Sequence, residues 1–192
     1  MGKDRLTAFS DGVIAIIITI MVLELHVPHG ADFNALMAVA PSFVAYVLSF
    51  VYLGIYWHNH HHLLHTVTRV DGLILWANSH LLFWLSLVPA ATAWMGQNLG
   101  APLPTAIYGV VMLLPAVAYY LLQLAIIRQQ GKNSVLAQAL GADVKGKASL
   151  AIYAGGAVLA FLSPWLSIVL YALVAVMWLV PDRRIEDTLH KA

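Results

Sequence analysis

The stretch 148-ASLAIYAGGAVLAFLSPWLSIVLYALVAVMWLV-180 carries no charge from end to end. As one helix it would extend about 50 Å, well past a hydrocarbon core of about 30 Å. Ser163-Pro164, near its middle, is a turn signal, because proline removes a backbone donor and pushes its predecessor out of helical geometry. Two short helices in a hairpin therefore fit better than one long helix, which fixes whether the chain crosses a bilayer five or six times.

Working outward from that hairpin, the sequence before it contains four more apolar runs of bilayer length. Leu6 to Leu23 is uncharged apart from Asp11, and further runs extend from Phe33 to Trp57, Gly72 to Met95 and Thr105 to Ile127. Pro115 lies inside the fourth run and predicts a kink, since neighbouring groups in a membrane bundle can satisfy the carbonyl it frees. The expectation is an all-α membrane protein forming one domain over 1–192, with spans at about 6–25, 33–57, 72–95, 105–127, 148–162 and 165–180.

Charge placement tests that count, because Lys and Arg collect in cytoplasmic loops. With six spans all 10 basic residues fall on one side: Lys3 and Arg5 before the first, Arg69 between the second and third, Arg128, Lys132, Lys145 and Lys147 between the fourth and fifth, and Arg183, Arg184 and Lys191 in the tail. Five spans would carry the last three across the membrane. Six spans with both termini cytoplasmic is the consistent topology.

Composition agrees. The 192 residues are 61% hydrophobic and 10% charged, against about 25% charged in a typical soluble domain. A net charge of +1, spread over separate segments, gives no footprint for nucleic acid. The absence of cysteine excludes disulfides and thiolate chemistry. The first run holds Asp11 and is not followed by a small-residue cleavage site, so it reads as a retained helix and not a signal peptide. In the loop from Gln129 to Lys147, the segment SVLAQAL reads equally as a short interfacial helix or as plain connection. No internal duplication of the kind that builds many transporter sites is evident, so a chain this small would make a pathway more easily by self-association around an axis.

Two groups of residues could carry chemistry. Asp11 sits inside the first apolar run, where burial of a carboxylate costs about 2.5–3.5 kcal/mol on insertion scales, so it requires a partner from Arg5 or a neighbouring helix. It reads as an interfacial anchor or as part of an architectural polar network. Beyond it, Ile16, Ile20 and Leu23 share a helix face with Thr19 beside them, a stripe that can pack, face lipid or line a pore; spacing alone favours the first two. The second helix closes in Tyr56-Trp57-His58-Asn59-His60-His61-His62-Leu63-Leu64-His65. His58 with His62, and His61 with His65, have the i, i+4 spacing of helical metal pairs, but no cysteine or nearby carboxylate completes a ligand set and HExxH is absent. The alternative is that these imidazoles bond helix ends and polar groups such as Asn78 and His80, with Trp57 at the interface, which allows sensitivity to cytoplasmic pH.

The opening Arg5-x-x-x-Phe9-Ser10-Asp11, the Ile-rich helix with Thr19 ending in Leu23-Glu24, and the later Tyr56-Trp57-His58-Asn59-His60-His61 together resemble the transmembrane protein 175 family, potassium-permeable channels of prokaryotes and lysosomes. Length and layout extend the resemblance over the whole chain. It implies a homotetramer in a bacterial inner membrane, multi-pass, surrounded by lipid, whose first helices line a central pore with Ile16, Ile20 and Leu23 as constriction rings and Thr19 contributing to selectivity. It also implies a structural network of Arg5, Phe9, Ser10, Asp11, Trp57, His58 and Asn78. The permeant ion would be potassium, with no cofactor and no reaction catalysed. The TVGYG carbonyl filter is absent, and Tyr108-Gly109 within AIYGV is not a substitute. The competing readings are a secondary transporter, which would place ionisable groups near the midplane, and a membrane metal-binding protein using the His58 to His65 cluster.

Overall fold

A computed structural model describes residues 2–131, 133–141 and 143–179. Among them the chain forms eight helices and no strand: α1 Lys3–Leu23, α2 Phe33–His65, α3 Gly72–Leu85, α4 Val88–Gln97, α5 Pro102–Gln130, α6 Val135–Leu140, α7 Val144–Leu159 and α8 Pro164–Leu179. Four stretches are long and apolar enough to cross a bilayer: Lys3–Leu23, Phe33–His65, Gly72–Gln97 and Pro102–Gln130. Large apolar side chains such as Phe43, Trp76, Leu103, Leu162 and Leu173 point outward, the reverse of a protein solvated by water. The chain is a helical membrane protein.

The helix starts follow from local chemistry. Asp32 Oδ1 accepts the Ala35 N–H at 2.8 Å, Asp71 Oδ1 that of Ile74 at 2.9 Å and Asp143 Oδ1 that of Gly146 at 3.3 Å, so three helices begin on aspartate caps. Ser134 caps α6 through Ala137 N at 3.3 Å, and the segment 135–140 is thus a short helix, its Leu136 and Ala139 buried. Pro102 occupies the first turn of α5, where the missing donor costs nothing. At its other end α5 closes on Gly131 at φ 91°, a value a side chain resists.

The 148–180 run breaks where Ser163-Pro164 predicts. Leu162 and Ser163 N–H groups bond the Leu159 carbonyl at 2.9 and 2.8 Å, and Pro164 opens α8. Helix α7 and helix α8 have 16 residues each, about 24 Å of helix. Val180, the last residue of the expected sixth span, and the basic residues Lys132, Arg183, Arg184 and Lys191 lie outside the described residues.

Two elements depart in extent from the expected runs. The single run expected over 72–95 is two helices, because Pro89 has no N–H for the Leu85 carbonyl and its ring clashes there; α3 ends at Leu85 and α4 restarts at Val88. Pro115, by contrast, sits within an unbroken α5. Helix α2 continues past Trp57 to His65 through 33 residues and includes Pro41, so the whole histidine cluster is helical.

Close helix approaches lock the bundle. A Cβ on Gly96 of α4 would stand 2.8 Å from the Ser42 Cα of α2, and one on Gly109 of α5 would overlap the Tyr171 hydroxyl of α8. Tyr171 and Tyr108 are fully buried. Tyr171 donates to the Thr105 carbonyl at 3.3 Å and its own carbonyl accepts from Tyr52, while the Tyr108 and Ser49 hydroxyls meet at 2.9 Å and Thr92 donates to Ser49 at 2.7 Å. These bonds satisfy the polar atoms that an apolar interior would otherwise penalise. Helix α1 packs on α2, α3 and α4.

Candidate functional site

The first helix has two contrasting faces. Leu6, Ser10, Ile14, Ile17 and Met21, at spacings of four and three, are buried against α2, α3 and α4. The opposite face carries Phe9, Ile16, Ile20 and Leu23, which are 55, 58, 41 and 79% exposed, with Thr19 and Gly12 between them. Among the described residues, no helix buries that face.

Polar contacts fix which face turns outward. Ser10, fully buried, donates to the Leu6 carbonyl at 2.8 Å and accepts from Asn78 Nδ2 of α3 at 2.9 Å. The Asn78 carbonyl oxygen can only accept, so the 2.7 Å contact to His60 Nε2 of α2 requires the proton on that nitrogen. His60 Nδ1 is then buried without a partner among the described residues. Three helices are joined through one asparagine with no exposed surface.

Two further bonds tie α1 to α2. Trp57 Nε1 donates to Asp11 Oδ1 at 3.0 Å, which supplies the partner a carboxylate in an apolar run needs. Lys3 Nζ donates to the His65 carbonyl at 2.8 Å, placing a cation on the negative end of α2.

Of the residues singled out in sequence, Ser10, Asp11, Trp57 and Asn78 take part in these contacts. Arg5 and Phe9 are exposed and enter none of the bonds described. The imidazole on Asn78 is that of His60; His58 instead meets His62, Nε2 to Nε2 at 3.1 Å, and His61 meets His65 at the same distance. His80 accepts from Trp84 at 2.7 Å. Among the described residues no group of three or more His, Cys, Asp or Glu is placed to share one ion. Thr19 donates to the Ile16 carbonyl at 2.9 Å and is itself exposed.

Neither the buried tyrosine cluster nor a cavity of about 60 Å³ between α2, α5, α7 and α8, walled by Tyr52, Tyr56, Tyr119, Tyr153 and Trp178, was legible in the sequence. Helix α1 contributes nothing to its walls. The available signal is Tyr52 and Tyr56 at i, i+4 spacing on α2, and it is indistinguishable from ordinary core packing.

Comparison with known proteins places this arrangement. Residues 5–89, the segment holding most of α1 with α2 and α3, match the family model described as endosomal/lysosomal potassium channel TMEM175. A potassium channel of a Chryseobacterium species is 52% identical over 191 residues, covering 100% of both chains. The human endosomal/lysosomal proton channel TMEM175 is 39% identical over 89 residues, which is 38% of this chain and 18% of that protein. The crystal structure of a lysosomal potassium-selective channel TMEM175 homolog from Chamaesiphon minutus superposes with a TM-score of 0.83 at 27% identity, covering 94% of this chain and 97% of that one. With a relative this similar over its full length and a solved fold that the helices reproduce, the chain belongs to the TMEM175 family of ion channels.

Proposed function

We propose that the chain is one subunit of a potassium-permeable cation channel, a homotetramer whose conduction path runs along the outward face of α1. The observation that carries the reading is the two-sided α1: one face pinned through Ser10 and Asp11, the other presenting Ile16, Thr19, Ile20 and Leu23 to whatever lies outside the subunit. Four copies about an axis would turn those side chains toward one another. Rings of isoleucine and leucine hold such a path shut by dewetting, and a small widening admits water and ions. The Thr19 oxygens stand ready to replace part of a potassium hydration shell.

The full topology is six crossings, with α7 and α8 as a short hairpin, both termini cytoplasmic, in a bacterial inner membrane. The one-sided distribution of basic residues supports it. No catalytic group and no cofactor enters the mechanism.

Flux through purified protein in liposomes under a potassium gradient, repeated with sodium, tests the proposal. Potassium flux is expected to exceed sodium flux, and Ile16→Asn, which puts a wettable amide in the narrowest ring, is expected to raise both. Absence of flux from natively assembled wild type and Ile16→Asn alike would overturn it. Chemical cross-linking that stops at dimers would overturn the tetramer alone.

A further inference from the structure

The end of α2 carries a feature that ion conduction along α1 leaves unused. His58, His61, His62 and His65 fall at i, i+3, i+4 and i+7, one face of the last two turns. They meet as two pairs, Nε2 facing Nε2 at 3.1 Å in each. The rings of a pair are 4.5 Å apart by centroid, and the inner members His61 and His62 are 5.8 Å apart. All four sit on the outer side of the helix, whereas His60 between them points inward to Asn78.

That spacing matches what a chelated ion demands. Two metal–imidazole bonds of about 2.0–2.1 Å meeting at about 90–110° separate their nitrogens by about 2.8–3.4 Å. We infer that His58 with His62, and His61 with His65, form two binding sites for a first-row divalent cation of the zinc class, each completed by water. Without the ion, each pair closes by a proton on one Nε2. Binding moves that proton to the same ring's Nδ1, or, from a ring that carries both protons, releases the Nε2 proton to solvent, so that both Nε2 lone pairs face the metal.

The neighbourhood ranks the two sites. The Lys3 ammonium of α1 lies on the His65 carbonyl and repels a cation at the His61–His65 pair. The His58–His62 pair, one turn back toward Trp57 and its Asp11 partner, is the tighter site. Imidazole pairs select zinc, nickel and copper over magnesium, which prefers oxygen ligands. An ion bridging i and i+4 also clamps the helix turns on which α1 is hung through Lys3 and Asp11.

The test is calorimetric titration of the purified full-length protein with zinc chloride, with magnesium chloride as control, on wild type, His58→Gln/His62→Gln and His61→Gln/His65→Gln. Wild type is expected to bind zinc and not magnesium. The first double variant is expected to lose the tighter event, with affinity at least tenfold weaker, and the second to lose only the weaker. Thermal unfolding without metal, measured in parallel, separates misfolding from loss of the site. Zinc binding that is absent from folded wild type, or unchanged when all four histidines are replaced, would overturn the inference. Because the readout is binding, it fails or succeeds independently of ion flux.

Discussion

Replacing Asn78 with leucine is the most informative single change to the anchor of α1. Asn78 is fully buried and bonds His60 at 2.7 Å and Ser10 at 2.9 Å. Side-chain hydrogen bonds between membrane helices average about 0.6 kcal/mol and reach about 1.7, so the two together are worth about 1–3 kcal/mol. Leucine also leaves His60 with no partner on either nitrogen, since Nδ1 already lacks one, and a buried polar group stranded in this way costs about 1–3 kcal/mol. Because the helix packing survives, part of the penalty relaxes, and a net loss of about 2–3 kcal/mol is expected. That corresponds to a roughly 30- to 150-fold shift in the folding equilibrium. Reversible unfolding in mixed micelles measures it, and a double-mutant cycle with Ser10→Ala isolates the bond between α1 and α3, with a coupling of about 0.6–1.7 kcal/mol expected. A loss under about 0.5 kcal/mol, or strict additivity with Ser10→Ala, would refute the claim that this asparagine joins the three helices.

Further expectations follow from the same geometry. The chain has no cysteine, so single cysteines report cleanly: Ile16→Cys and Ile20→Cys should react with a membrane-impermeant thiol reagent roughly tenfold faster than Ile17→Cys, which is buried, and than Phe43→Cys, which is exposed on α2. Equal reactivity at 16 and 43 in protein that conducts in the flux assay would mean the α1 face meets lipid and not water. Gly109→Val should destabilise by about 3 kcal/mol in the same unfolding assay, because the added carbons take the space of the Tyr171 hydroxyl; Gly12→Val, where a Cβ meets nothing within the subunit, should leave monomer stability unchanged. Trp57→Phe should cost about 1 kcal/mol or more by removing the donor from Asp11, a loss that Asp11→Asn on the same background should not deepen.

The membrane class, the four long apolar runs and the break at Ser163-Pro164 were all legible in the sequence, since each rests on hydropathy over a long window or on proline's missing donor. Pro89 and Pro115 show where that reading thins out. Both lie in apolar runs, yet one splits its helix and the other does not, because the outcome depends on what neighbouring helices offer the freed carbonyl and not on the proline itself. In the candidate site, the sequence indicated that Asp11 needs a partner and that Asn78 belongs with an imidazole. It did not indicate which: His58 and His60 are two residues apart, their side chains leave the helix about 200° apart, and only the rotation of α2 in the bundle decides that His60 faces Asn78. The outward face of α1 was likewise undecidable from spacing, because a stripe of isoleucines looks the same whether it packs, meets lipid or lines a pore.

The distribution of bonds along α1 bears on how such a channel would open. Among the described residues, the side-chain hydrogen bonds from α1 to other helices come from Lys3, Ser10 and Asp11, all in its first three turns. The part carrying Ile16, Ile20 and Leu23 is held from behind by the apolar contacts of Ile14, Ile17 and Met21, with Val13 and Ile18 partly buried beside them. Apolar contacts are non-directional and can slide with little change in buried area, whereas each hydrogen bond in the anchor has one geometry. A rotation or tilt of α1 about its anchored end therefore disturbs few directional contacts and moves the ring-forming side chains most, since displacement grows with distance from the pivot. The polar network sets where α1 stands, and among the described residues no such bond further along would hold the proposed ring positions in place.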